Sequence, residues 1–301
     1  MEKENKKHQV AGLGEILWDL LPHGKQMGGA PANFAYHAQM LGTQGHIISA
    51  IGDDALGAEI IEQITAIHLS AESINIDQQH PTGTVSVKVD SSGNPDFIIN
   101  TDVAWDYIPL NDRLLNLGKS LDAVCFGSLA QRSPVARQTI QALVKSTREN
   151  CLRIFDLNLR QHFFSEEIIY YSLQIANCLK LNEDEFLFLA KLLGFIGSEE
   201  KIINKFFKRF ELRLIALTKG EQGSSIYTTD SHSFQKSTVV RVVDTVGAGD
   251  AFTAGMCIGI LKNFTLKKFH ENAARLAAYV CTQKGATPVV PKQLIAEITN
   301  P

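Results

Sequence analysis

What this sequence lacks narrows its function before any motif is read. No stretch approaches the roughly 20 consecutive apolar residues a membrane helix needs. The run Val10–Leu21 carries Glu15 and Asp19 and has no signal-peptide cleavage pattern, so a cytoplasmic protein is expected. There is no basic excess: 29 Lys and Arg face 32 Asp and Glu, a formal charge of −3. Neither nucleic acid nor an anionic membrane is an expected partner. The basic start, Lys3, Lys6 and Lys7, is mixed with Glu2 and Glu4 and reads as a solvated terminus. The cysteines, Cys125, Cys151, Cys178, Cys257 and Cys281, are scattered through apolar stretches with no C-x-x-C pair, which predicts reduced core thiols. The nine histidines show no H-x-x-x-H spacing, which argues against a structural zinc site. The Walker pattern G-x-x-x-x-G-K-[ST] does not occur, and no internal repeat or low-complexity tract is visible.

What is present is an α/β rhythm in a chain of 301 residues, 45% apolar. Apolar runs bounded by glycine predict strands at Val10–Leu13, Ile47–Ile51, Ala123–Phe126, Arg153–Leu157, Cys178–Leu181 and Leu214–Thr218. Helical periodicity predicts helices at Pro31–Leu41, Leu56–His68, Pro134–Glu149, Glu166–Ala176, Glu183–Leu193 and Ser198–Arg209. The alternation of nearly continuous apolar strands with helices implies a mostly parallel sheet covered on both faces. One segment departs from it. Thr84–Val89 alternates with period two, a turn follows at Ser91–Pro95, and Phe97-Ile98-Ile99 returns. That is a hairpin, read as a flap over a site at the carboxyl ends of the strands.

The strongest chemical signal is Asp244-Thr245-Val246-Gly247-Ala248-Gly249-Asp250, which leads into a helical run over Ala251–Leu261. Glycines let the backbone approach a ligand closely. Helix-start amides converge on one place with the positive end of the helix dipole behind them, which makes an anion site. A carboxylate at that mouth has a natural task in removing a proton from an attacking hydroxyl. The plainer reading makes Asp250 an N-cap residue.

The whole string resembles the second signature of the ribokinase-like (PfkB) carbohydrate kinase family. The resemblance implies a three-layer α/β/α fold with a small β lid formed by about 82–104 and about 19–28. It makes Gly247, Ala248 and Gly249 the anion hole, Asp250 the base, and Asp244 with the Val246 carbonyl the holders of a monovalent cation such as K⁺. It extends along nearly the whole chain. Gly28-Gly29-Ala30-Pro31-Ala32-Asn33 looks like the first signature, and Asp19 matches the family's sugar-binding aspartate. Asn33 offers both donor and acceptor to hydroxyls. Gly52-Asp53-Asp54-x-x-Gly57 also matches and reads as a structural turn and helix start.

Asp156-Leu157-Asn158-Leu159-Arg160 matches Asp-x-Asn-x-Arg, with Leu157 where proline is common. In an extended chain Asp156, Asn158 and Arg160 would share one side, and Arg160 would meet sugar or the moving phosphate. A surface Asp156–Arg160 ion pair is the bland alternative. Asn182 and Glu185 match Asn-x-x-Glu, which in the family organises hydrated Mg²⁺ and phosphate; the same spacing is also a helix-capping box. Thr218, Gly220 and Gly223 resemble the nucleotide loop, with Lys219 read as solvated. Counted back from Gly285, the adenine-facing position falls on Ala274, with Asn272 two residues earlier; family members often carry Asn or His there, so this chain departs from the pattern.

The expected function is therefore ATP- and Mg²⁺-dependent phosphorylation of a free sugar. Gly14-Glu15 with Asp19 looks most like fructokinases. A 2-keto-3-deoxygluconate kinase is the alternative and needs a further cation for the carboxylate, such as Arg132, His162 or Lys88. A dehydrogenase is remote, because Gly12-x-Gly14 lacks its third glycine at Leu17. A non-catalytic sugar sensor is disfavoured by the presence of Asp250. The protein is expected as a monomer, or as a homodimer paired through the lid.

Overall fold

The computed structural model describes residues 7–21, 24–89 and 95–300. A nine-stranded sheet runs in the order His232–Gln235, Ser224–Thr228, Leu214–Thr218, Cys178–Asn182, Leu152–Asp156, Ala123–Phe126, Gln9–Leu13, Gln44–Gly52 and Ile74–Asp77. Pairing is parallel from Leu214–Thr218 to Ile74–Asp77. It is antiparallel only in the two strands at the other edge.

The continuous apolar strands are explained by where their side chains go. Val124 and Phe126 enter one core with Phe155, Leu179 and Phe206, while Ala123 and Cys125 enter another with Phe34, Phe252 and Met256. Successive residues of a strand point to opposite faces, so two helical layers demand apolar residues at every position. Four of the five cysteines are buried and Cys281 is half-buried; all are free. No helix among the described residues is long and apolar enough to cross a membrane.

Boundaries moved where local chemistry competes with periodicity. The helix expected over Pro134–Glu149 ends at Ser146, because the Ser146 and Thr147 hydroxyls donate to the Leu143 and Val144 carbonyls and close the last turn. The helix expected to reach His68 ends at Ala66, and His68 takes a left-handed conformation.

A second, four-stranded sheet runs Gly24–Gly28, Leu17–Leu21, Thr84–Val89, Pro95–Ile99. The expected hairpin is present; positions 91–94 of its turn lie outside the described residues. It joins the first hairpin through parallel pairing of Trp18–Leu20 with Thr84–Ser86. Its root is fixed by Asp54, which accepts from Thr82 N (2.8 Å) and Thr82 Oγ1 (2.7 Å) and caps the next helix at Gly57 N (2.8 Å). The Gly52–Gly57 segment is thus the turn and helix start expected of it.

Candidate active site

The helix Ala248–Leu261 starts three residues earlier than its apolar run suggests. Gly247 is its N-cap at φ 77° with no side-chain cap, and the Ala248 amide donates to the Thr245 carbonyl at 3.3 Å. Asp250 therefore lies inside the first turn, which corrects the plain capping reading. Gly247 must be glycine both for that φ and because a Cβ would lie 2.6 Å from Ala286. Ala286 is itself held from below: its carbonyl accepts from Nε2 of the fully buried His37 at 2.8 Å. Burial pulls the His37 pKa down to about 4, so the ring is a neutral donor. Residues 247–250 remain partly exposed, so this helix end is open to a ligand.

Asp250 Oδ2 accepts from Asn33 Nδ2 at 2.8 Å, joining the two signature segments across 217 residues. Burial pushes the Asp250 carboxyl up to about 7, and the charge of Asp156 adds to this; Asn33, Lys180 and Arg160 oppose it. Such a value suits a base working near neutrality.

Sequence reading missed Lys180 and took Glu15 only as part of the Gly14-Glu15 motif, with no role of its own. Lys180, 7% exposed, places Nζ 3.1 Å from Asp156 Oδ1, and Asp156 Oδ2 accepts from Thr253 Oγ1 at 3.2 Å. A Cβ on Gly249 would lie 3.1 Å from that ammonium, which therefore sits directly under the anion loop. One lysine inside the apolar strand Cys178–Asn182 was the available signal, since an unpaired buried cation is not tolerated. Glu15, 3% exposed, leaves Oε2 without a partner among the described residues. Burial raises its pKa to about 7; its own backbone amide lowers it, Asp250 adds to the rise, and Arg160 and the Ala30 amide lower it.

Asp19 is half-buried, its pKa raised by desolvation against the pull of Arg160. A Cβ on Gly28 would fall 2.5 Å from Asp19 Oδ2, and one on Gly29 2.4 Å from the Glu15 carbonyl. The paired glycines thus let the chain pass beside both acids. Arg160 acts electrostatically on Asp19, Glu15 and Asp250 together.

The expected alternation over Asp156–Arg160 is corrected. The strand ends at Asp156, and Asn158 turns left-handed at φ 41°, so the three side chains do not share one extended face. The Asp156–Arg160 surface pair is replaced by the buried pair with Lys180. Asn182 and Glu185 form a reciprocal capping box: Asn182 Oδ1 accepts from Glu185 N (2.9 Å) and Glu185 Oε2 from Asn182 N (2.8 Å). Glu185 Oε1 accepts from Leu159 N at 2.9 Å, which fixes the Arg160 loop.

On the other side of the anion loop, Thr218 closes its strand and Gly220 takes φ 53° over open space. Lys219 is not merely solvated: Nζ lies 2.6 Å from Glu199 Oε2. Gly223 shapes the loop from behind, where a Cβ would meet the Gln235 carbonyl at 2.1 Å. Asp244 accepts from Val246 N and Gly285 N, both at 3.0 Å, tying the loop before Gly247 to the one after Cys281. Ala274 packs against the core; Asn272 is buried and donates to the Ile298 carbonyl at 2.7 Å, toward the last helix. Of the cations considered for a carboxylate, Arg132 is committed to Asp106, His162 is exposed beside Phe163, and the Lys88 side chain lies outside the described residues. No three candidate metal ligands cluster among the described residues. Two surface depressions elsewhere, on Pro134–Ser146 and near Tyr170 and Arg209, share none of these groups.

An open helix N-terminus, a carboxyl poised near neutrality and a polar acceptor wall, at the strand ends of a doubly covered parallel sheet, define a phosphotransferase of the ribokinase-like fold. Residues 23–293 match the pfkB family carbohydrate kinase pattern, and the chain belongs to that family. It is 30% identical to an uncharacterized sugar kinase of Pyrococcus horikoshii, covering 92% of this chain and 91% of that one. It is 26% identical to an ATP-dependent 6-phosphofructokinase of Thermoanaerobacterium thermosaccharolyticum (96% and 92% covered). It is 28% identical to a fructokinase of Salmonella typhimurium (93% and 95% covered). The P. horikoshii enzyme in complex with ATP superposes with a TM-score of 0.81 at 28% identity, over 96% of this chain and 99% of that one. The chain is thus an ATP-dependent carbohydrate kinase.

Proposed function

We propose that this kinase phosphorylates a free ketose, fructose first, with Asp250 as general base. The observation that carries the reading is the Asp250 carboxyl, pushed up to about 7 beside a helix N-terminus that no side chain caps. Asp250 takes the proton of the attacking hydroxyl, whose oxygen forms the bond to the γ-phosphorus as the bond to the leaving ADP oxygen breaks. The amides of Gly247, Ala248 and Gly249 and the Arg160 guanidinium receive the charge spreading over the phosphoryl oxygens, with the Lys180 ammonium below. Asp19, Gly28, Gly29, Asn33 and Asn158 hold the sugar. Thr218, Gly220, Gly223, Asn182 and the Ala274 face hold the nucleotide. Glu185 would hold hydrated Mg²⁺, which would neutralise the phosphates. Asp244 and the Val246 carbonyl would hold a monovalent cation. The four-stranded sheet closes as a lid and excludes water. Monomer, or dimer through that sheet, and a cytoplasmic setting complete the reading.

Fructose is favoured over a sugar acid because Arg132, one of the cations considered for a carboxylate, is already neutralised by Asp106. The test is ADP release across free sugars, sugar acids and sugar phosphates. Fructose is expected to give the highest kcat/KM; a higher value for 2-keto-3-deoxygluconate or fructose 6-phosphate overturns the substrate assignment.

A further inference from the structure

One buried side chain outside the transfer chemistry touches the end of the small sheet, the turn at 104–107 and the loop that carries Arg160. Arg132 follows the strand Ala123–Phe126, and its side chain is 8% exposed. Its Nε and Nη2 fork onto Asp106 Oδ1 and Oδ2, both at 2.8 Å. Nη2 also donates to the Asn100 carbonyl at 2.7 Å. Asn100 directly follows the return strand of the small sheet and is bonded to Thr84, N to O at 3.1 Å and Nδ2 to Oγ1 at 2.6 Å. The guanidinium lies 3.9 Å over the Trp105 ring and 4.7 Å from the Phe163 ring. Phe163 N in turn donates to the Arg160 carbonyl at 3.0 Å.

Packing alone does not explain this arrangement. Arg132 Nη1 and Trp105 Nε1 are buried without partners among the described residues, and a buried unsatisfied donor costs about 1–3 kcal/mol. A fully stabilising cluster would have paired them. What the fork and the flat faces provide is rigid geometry between three segments: the end of the small sheet, the turn at 104–107, and the loop that carries Arg160. Lysine cannot reproduce this, since it lacks both the fork and the stacking plane.

We propose that Arg132 is a positioning residue that couples the small sheet to the Arg160 loop, so that closure over the sugar brings Arg160 onto the phosphoryl group. This rests on the sheet acting as the lid of the kinase. In that role a loosened strut admits water as a competing acceptor.

The test compares Arg132→Lys and the milder Phe163→Leu with wild type, on whichever sugar wild type turns over best. Sugar KM, ATP KM, the ratio of ADP to sugar phosphate formed, and Tm are measured. Arg132→Lys is expected to raise sugar KM about tenfold while ATP KM stays within about twofold, and to form ADP in excess of sugar phosphate. Phe163→Leu, which leaves the Asp106 fork intact, shifts both quantities in the same direction by less. A fall in Tm with unchanged KM values and a one-to-one product ratio in both variants overturns the proposal, as does an equal rise in both KM values. A wild type that prefers another sugar to fructose removes the fructose assignment and leaves this comparison in force.

Discussion

Asp156 and Glu15 are both buried acids at the carboxyl ends of parallel strands, and the fold treats them in opposite ways. Asp156 is given a permanent cation, Lys180, and the Thr253 hydroxyl. Glu15 is given no lysine, and one oxygen stays unbonded among the described residues. The site therefore has a fixed-charge half under the anion loop and a titratable half on the acceptor side, with Asp250 between them, linked to the acceptor side through Asn33. A transferring phosphoryl group needs charge that does not fluctuate, and a hydroxyl proton needs a group that can accept it. The two halves match those needs.

The largest expected effect is at the junction. Asp250→Asn should lower kcat by about 10²–10⁴ with both KM values within a few-fold, the usual worth of a general base. Near-normal turnover would remove Asp250 from the chemistry. The same variant tests the electrostatics. Asp250 is raised from 3.8 to about 7 in the folded state, so between those values the native protein binds more protons than the unfolded chain. Stability from this group is then present at low pH and lost as pH rises through about 7. The neutral amide escapes that loss, so Tm at pH 8 should rise relative to wild type and change little near pH 4. A lower Tm at pH 8 would contradict the desolvation assigned to this carboxyl.

The fixed-charge half is broken by Lys180→Met, which strands Asp156 as an uncompensated buried charge. A loss of about 3–5 kcal/mol is expected from denaturant unfolding, the range for deleting one partner of a buried pair. The double variant Lys180→Met with Asp156→Leu should recover much of that stability but not the activity. If the double variant is no more stable than the single, the pair is not the compensated unit described here.

These two halves differ in how far the sequence disclosed them. The layers, the parallel sheet and the hairpin at 84–99 were legible because burial on both faces forces apolar runs and a half-buried sheet forces alternation. The glycine turn and Asp250 were legible because close backbone approach leaves a residue-type signature. Lys180 was not singled out, and Glu15 was read as a motif residue but not as a buried acid: each role depends on contacts between segments far apart in the chain, Lys180 with Asp156 and Glu15 with Ala30, Asp250 and Arg160. The bend at Asn158 was hidden for a related reason. Leu159 N is captured by Glu185, 26 residues away, and that bond lies outside any local pattern. Asn272 looked like a displaced adenine contact because only the structure shows the Ile298 carbonyl it serves.

On the acceptor side, Asp19→Ala should raise sugar KM by about 10–100-fold, as for loss of charged hydrogen bonds to a bound hydroxyl. ATP KM should change by less than about threefold on the same scale. Equal effects on both substrates would detach Asp19 from the sugar.

The smallest effect is the sharpest on the titratable half. For wild type, kcat/KM should rise with pH through about 7, because Asp250 must be ionised to accept a proton. Glu15 is raised to about the same value, with Asp250 among its causes, so the two acids titrate as a coupled pair. The other charges facing them are Arg160, Lys180 and Asp156. Glu15→Gln keeps the shape and removes one negative charge, so Asp250 ionises more readily and the acidic limb moves to lower pH. The expected displacement is about half a unit, less than 1 kcal/mol, and the limb should sharpen to a single proton. Asp156→Asn should move it the same way, since Asp156 also raises Asp250. A limb unmoved by Glu15→Gln but moved by Asp156→Asn would place all tuning of the base in the fixed-charge half and leave Glu15 no part in it.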